Sequence, residues 1–282
     1  MVIFNNKKEL KVYLNPCFKN NKTIGFVPTM GALHNGHLSL LEKSLEQNDI
    51  VVVSIFVNPT QFDNKEDLEK YPRTLENDIQ KIETLNPNII IYAPTINDIY
   101  GENIVPEKFD YDGLENQMEG KQRPGHFDGV GTIVKALFEI VKPTKAYFGE
   151  KDYQQVLIVN KMIEKHRLPV KIVVCPILRE KNGLAMSSRN ERLSEEERNK
   201  AGFIYQTLLK VKELFQTEDP KKIYGFVKKA FEVQELLQLE YFTIADSKTL
   251  LEITKKYKTK KYRAFIAVRV GNVRLIDTVS LN

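Results

Sequence analysis

Short apolar runs alternate with amphipathic helical patterns over roughly the first two-thirds of the chain. That alternation limits the fold more than any other feature. The runs cover residues 24–28, 50–58, 88–93, 145–148 and 171–175, and each is bounded by Pro, Gly or Asn. The stretch from Asp49 through Val57 is nearly continuous in apolar residues, the pattern of a strand buried on both faces. Between the runs, Leu38, Leu41 and Leu45 recur at helical spacing, as do Leu75, Ile79 and Ile82. Further sets are Ile133, Leu137, Ile140 and Val141, and Val156, Val159 and Ile163. They predict helices over residues 37–47, 74–85, 130–141 and 152–164. Strands alternating with helices give an α/β fold, a Rossmann-like doubly wound parallel sheet, whose ligands bind at the carboxyl ends of the strands.

The texture changes after Pro176. Ser194-Glu-Glu-Glu-Arg198 reads as a capping box leading into a helix over 201–215, with a second helix over 221–233. Residues 241–245, 262–270 and 273–277 read as strands, the last two joined by a Gly271-Asn272 turn. The expectation is a ligand-binding Rossmann-like domain over 1–178 and a smaller α+β C-terminal domain over 179–282, acting as a lid.

The chain of 282 residues carries 42 Lys and Arg against 37 Asp and Glu, a net charge of +5 that suits polyanionic small molecules as well as nucleic acid. The helices after residue 194 mix Lys with Glu and form no aromatic-and-basic stripe, so no nucleic-acid partner is expected. No apolar run reaches the ~20 residues of a membrane helix, and the N-terminus shows no secretory signal. Two cysteines, Cys17 and Cys175, are too few for a disulfide scaffold, so the expected compartment is the cytoplasm.

Three segments carry candidate chemistry. The first, Phe26-Val-Pro-Thr-Met-Gly-Ala-Leu-His-Asn-Gly-His37, leaves a strand and enters a helix. His34 and His37 lie at the helix N-terminus, where backbone N–H groups and the dipole favour an anion. The pair has no third metal ligand nearby. The second, Gly149-Glu-Lys-Asp-Tyr-Gln-Gln155, also follows a strand. There Lys151 can meet a phosphate, Asp152 can cap the helix, and Gln154 and Gln155 can orient a polar substrate. In the third, Arg179 to Asn190, Ser187 and Ser188 offer hydroxyl donors and Arg189 a phosphate fork. Asn58 and Gln61 are expected on the same rim as His34, and Gln122 to Gly131 as a shaped loop over it. Asp78 is a candidate metal ligand or a solvated helix charge.

Together these segments resemble the pantoate–β-alanine ligase family of the nucleotidyltransferase superfamily. The resemblance runs through Pro28-Thr-Met-Gly-Ala-Leu-His-Asn-Gly-His37, Phe56-Val-Asn-Pro-Thr-Gln-Phe62 and Tyr71-Pro-Arg-Thr74. It continues through Arg123-Pro-Gly-His-Phe-Asp-Gly-Val130, Tyr147-Phe-Gly-Glu-Lys-Asp-Tyr-Gln-Gln155, Gly183-Leu-Ala-Met-Ser-Ser-Arg-Asn190 and Arg274-Leu-Ile-Asp277. Asn182 and Leu178 depart from the usual Asp and Val. The resemblance implies condensation of (R)-pantoate with β-alanine, with ATP and Mg²⁺, through pantoyl adenylate, giving AMP and pyrophosphate. It implies that Met30, Gly31, Ala32, Leu33, His34, Asn35, Gly36 and His37 wrap ATP, with His37 as proton donor. Gly149, Glu150, Lys151, Asp152, Leu178 and Met186 would line the nucleotide pocket. Lys151, Ser187, Ser188 and Arg189 would hold the phosphates. Gln61 and Gln155 would orient pantoate, Gln61 also touching β-alanine. A homodimer is likewise implied. A related adenylyltransferase, a class I aminoacyl-tRNA synthetase relative and a non-catalytic nucleotide sensor are the competing readings.

Overall fold

The structure is a computed structural model describing all 282 residues. The chain forms two compact units, Met1–Gly149 with Gln154–Pro176 and Glu150–Tyr153 with Ile177–Asn282. The division at Pro176 falls two residues before the one read from the sequence. The turn at 150–153 groups with the second unit because Arg263 and Ser247 hold it there.

The first unit is built on six parallel strands, β1 (Val2–Phe4), β2 (Ile24–Thr29), β3 (Ile50–Ile55), β4 (Ile90–Tyr92), β5 (Lys145–Gly149) and β6 (Lys171–Cys175). Their spatial order is β1-β4-β3-β2-β5-β6. The central strands are apolar on both faces because helices cover both; Val27, Val53, Ile91 and Tyr147 are all buried. Edge strand β6 is more open, with Val174 exposed. The winding reverses between β2 and β5, which pair through Gly25 with Lys145 and Phe26 with Ala146. The carboxyl ends of those two strands therefore border the switch-point crevice, where ligands of this architecture bind.

Several helices begin earlier than their apolar periodicity. One spans His126–Val141, so residues 126–131 are helical and not loop. Gly129 and Gly131 are there for close packing: a Cβ on Gly129 would lie 2.1 Å from the Thr60 carbonyl, and one on Gly131 2.1 Å from the Tyr111 hydroxyl. Strand β1 and the helix Lys7–Lys19 have no counterpart in the sequence reading. Asn6 caps that helix by accepting from the Lys8 N–H, and Leu10 and Leu14, one turn apart, are fully buried.

The second unit packs the helices Glu195–Ala201, Phe203–Thr217 and Pro220–Glu232 on an antiparallel sheet of β7 (Leu237–Asp246), β8 (Tyr262–Val270) and β9 (Val273–Ser280). The Ser194 and Glu197 capping box forms, and Gly202 interrupts the helix expected to run on from it. Gly271, at φ 54°, turns the β8–β9 hairpin. No helix of the chain is long and apolar enough to cross a membrane.

Candidate active site

In the first unit, the segment after β2 forms a tight loop and then the helix Asn35–Leu45. Gly31 and Ala32 both have positive φ, 84° and 49°. The alanine is therefore in a conformation that costs an L-residue about 1–2 kcal/mol and must be held there. Asp78 holds it. This carboxylate is fully buried, accepts the N–H of Ala32 at 2.9 Å and of Leu33 at 2.7 Å, and takes the Thr74 hydroxyl at 3.3 Å. One turn along the same helix, the Lys81 ammonium donates to the Leu33 carbonyl. Asp78 is thus neither a solvated charge nor an open metal ligand; it is the clamp of the loop.

His34 is the N-cap residue of the helix. Its Nδ1 accepts the Gly36 N–H at 3.1 Å, while Nδ1 of His37 accepts the His34 N–H at 3.3 Å. The two rings lie 4.0 Å apart between centroids. With Nδ1 accepting in both rings, the neutral tautomer carries its proton on Nε2. The motif therefore builds a cap and two imidazole donors together.

Many backbone donors of this turn are already taken by the protein. Thr29 takes the Gly31 N–H, Asp78 those of Ala32 and Leu33, and the two histidines those of His34 and Gly36. These five N–H groups of the turn are therefore taken within the loop, and the imidazoles are groups suited to meeting an anion. Ala32 and Leu33 are buried with their side chains in the core, Met30 is half-buried and Asn35 exposed.

Gln61 ends a short turn, Pro59–Gln61, after β3. The turn is pinned from behind. His126 Nδ1 donates to the Gln61 carbonyl at 2.7 Å, Arg123 donates to the same oxygen at 3.2 Å, and Arg123 pairs with Asp63 at 3.0 Å. Burial, reinforced by the adjacent Arg123 charge, pushes the His126 pKa down to about 4, so the ring is neutral near pH 7. Asn58 departs from its rim assignment. It is buried, with its amide on the Gly129 carbonyl and its oxygen taking the Tyr100 hydroxyl. Gln154 is likewise internal, bonding the Leu114 and Gln117 carbonyls and the Glu119 N–H. Its neighbour Gln155 is half-buried.

In the second unit, Glu150–Asp152 is a single 3-10 turn. Lys151 is 18% exposed and lies 3.3 Å from Asp152. Gly149, at the end of β5, has open space where a Cβ would lie, so its backbone can be approached closely. The 179–190 segment forms a hairpin. Arg179 bridges to Ala185, and the Met186 N–H donates to the Leu178 carbonyl at 3.0 Å. Ser187 then caps the turn Ser188–Arg192 by accepting the Arg189 N–H. Ser188 is buried, and so is Asn190, which ties back to Glu180 and the Ala185 carbonyl. No group of three or more His, Cys, Asp and Glu side chains converges to hold a metal ion.

Paired imidazoles capping the helix after a switch-point strand are the arrangement of an enzyme that handles an anionic substrate at a strand's carboxyl end. The profile of the family described as pantoate–β-alanine ligase matches residues 2–280, and the chain belongs to that family. A pantothenate synthetase of Flavobacterium psychrophilum is 62% identical over 281 residues, covering all of both chains. One from Bacteroides fragilis is 45% identical and covers 99% of this chain and 98% of its own. A crystal structure of pantothenate synthetase from Thermus thermophilus superposes with a TM-score of 0.91 at 37% identity, covering 100% of this chain and 99% of that one. A pantoate–β-alanine ligase from Francisella tularensis, complexed with β-γ ATP and β-alanine, does so at 0.80 and 37%, covering 100% and 98%. The chain is a ligase that joins pantoate to β-alanine.

Proposed function

We propose that the ligation uses ATP and runs through pantoyl adenylate. In the first step a pantoate carboxylate oxygen attacks the α-phosphorus. The bond to the β-phosphate oxygen breaks, and pyrophosphate leaves. In the second step the β-alanine ammonium first loses a proton; the free amine attacks the acyl carbon, the bond to the phosphate oxygen breaks, and AMP leaves as the nitrogen gives up a second proton to become the amide. A carboxylate is a weak nucleophile, so the first step depends on positioning and on neutralising charge at phosphorus. The Nε2–H groups of His34 and His37 supply that, as donors held rigid by the reciprocal cap. This pair is the observation that carries the reading.

Lys151, Ser187, Ser188 and Arg189 hold the phosphates and the leaving pyrophosphate. The backbone of Gly149, Glu150, Asp152, Leu178 and Met186 lines the nucleotide pocket. Gln61 and Gln155 orient pantoate. The chain offers no carboxylate cage for Mg²⁺, so the cation would enter with the triphosphate and would supply charge neutralisation there. The enzyme acts in the cytoplasm as a homodimer, and residues 179–282 help to keep water from the adenylate. A second-unit variant that released AMP faster from pantoate and ATP in the absence of β-alanine would support that last role.

The test is radiolabelled pyrophosphate exchange into ATP, with Mg²⁺ and pantoate and without β-alanine. Exchange that depends on pantoate supports the adenylate, and His37→Ala should abolish it while ATP still binds. A wild-type enzyme that forms pantothenate yet shows no exchange overturns the stepwise route.

A further inference from the structure

The motif Arg274-Leu-Ile-Asp277 has no part in the chemistry above, yet it leads into the most buried ionic network of the second unit. Asp277 on β9 is 4% exposed. Its two oxygens accept both terminal nitrogens of Arg179, at 2.6 and 3.0 Å, and one of them also takes the Thr278 N–H at 2.8 Å. Arg179 in turn donates to the Gly183 carbonyl at 3.1 Å and lies over the Tyr205 ring at 3.5 Å. Arg179 is also the residue that bridges to Ala185. The Asp277 pair therefore fixes the base of the hairpin that delivers Ser187, Ser188 and Arg189.

On the adjacent strand, β8, Arg263 is 6% exposed. Its guanidinium pairs with the Glu150 carboxylate and lies over the Tyr153 ring at 4.2 Å. Glu150 and Tyr153 bracket Lys151, and the Tyr153 hydroxyl is tied to the Ser247 carbonyl at 3.0 Å. Thr278 joins the two pairs: its hydroxyl is 3.5 Å from Arg263, and its N–H is on Asp277. Two segments far apart in the sequence are thereby anchored to neighbouring strands of one sheet. Buried ion pairs are poor sources of net stability, because desolvation offsets the attraction. What a bidentate guanidinium–carboxylate pair supplies reliably is fixed geometry.

We propose that Asp277 and Arg263 are positioning residues for adenylation, setting the spacing between the Lys151 turn and the Ser187–Arg189 loop so that both grip one triphosphate. The proposal rests on the reading that these segments hold the phosphates of ATP. Asp277→Asn keeps the shape and removes one charged acceptor. Arg263→Lys keeps the charge and removes the planar fork. Displacing a binding segment by up to about an ångström costs about 10- to 100-fold in rate.

The test separates the half-reactions in the full-length enzyme. Pyrophosphate exchange with pantoate reports the step that needs the whole triphosphate. Aminolysis of synthetic pantoyl adenylate by β-alanine reports the step that does not. Each variant should lose at least tenfold in exchange, with KM for ATP raised, and stay within twofold of wild type in aminolysis. Equal losses in both half-reactions would mean a general structural role and overturn the proposal, as would exchange unchanged in both variants. Should Asp277→Asn fail to fold, Arg263→Lys decides alone. Lys151→Ala with normal exchange would instead sink the phosphate-binding reading on which the proposal stands.

Discussion

Asp78→Asn is the substitution that tests the architecture of the histidine loop most directly. The carboxylate accepts two backbone N–H groups in a fully buried position, at 2.9 and 2.7 Å. Asparagine offers one oxygen, so one of the two N–H groups is left facing an NH₂ donor. A buried donor without a partner costs about 1–3 kcal/mol, and the surviving bond loses its charge assistance, worth about 1 kcal/mol more. Part of this is offset because an amide is cheaper to bury than a carboxylate, which leaves a net loss of about 2–3 kcal/mol. For a chain of this size the melting temperature should fall by roughly 5–10 °C. The loss is local to a loop that already holds Ala32 at φ 49°, so the loop relaxes and the His34–His37 cap shifts with it. Pantoate-dependent pyrophosphate exchange should then drop by about tenfold or more. Thermal unfolding and exchange, measured together over a range of Mg²⁺, check this. A melting temperature within 1 °C of wild type and exchange within twofold would refute the clamp. Activity restored by high Mg²⁺ with no recovery of stability would instead make Asp78 a cation ligand.

Three further outcomes are expected. His126 has a folded-state pKa near 4 against 6.5 unfolded, so its contribution to stability is complete above about pH 6.5 and is lost as pH falls toward 4, by about 3 kcal/mol in all. Denaturant titrations of wild type and His126→Asn should converge by that amount between pH 7 and pH 4, and parallel curves would rule the assignment out. Gly129→Ala places a Cβ 2.1 Å from the Thr60 carbonyl and should cost about 1–3 kcal/mol while raising KM for pantoate through the displaced Gln61 turn. An unchanged KM would show that this turn does not set pantoate affinity. Adjacent glutamines should behave oppositely: Gln154→Ala strands three backbone groups, two of them buried, and should lower stability by about 2–3 kcal/mol, whereas Gln155→Ala should leave melting within about a degree and raise KM for pantoate. Equal melting temperatures for the two variants would contradict the division of roles.

The doubly wound sheet was legible because two-sided burial leaves a continuous apolar run, as in β3, and helices between such runs leave a 3.6-residue period. The two histidines were legible because residue type and strand–turn–helix position coincide in a short segment. Strand β1 and the first helix were not, since three residues carry too little pattern and Pro16 in the last turn disguises a helix. The starts of helices were misplaced for a similar reason. Gly125 and Gly129 read as loop residues, whereas the second meets a backbone carbonyl that no sequence pattern reveals.

The order of elements, the turn chemistry and the residues able to meet a phosphate are local properties, and the amino-acid sequence determines them. Which polar groups act on substrate and which hold the scaffold depends on partners distant in the chain. Asp78 reaches back 46 residues to Ala32, Gln154 reaches 40 to Leu114, and Asp277 reaches 98 to Arg179. A buried polar side chain must satisfy its hydrogen bonds with whatever the fold brings near, so tertiary structure alone decided that these residues are clamps.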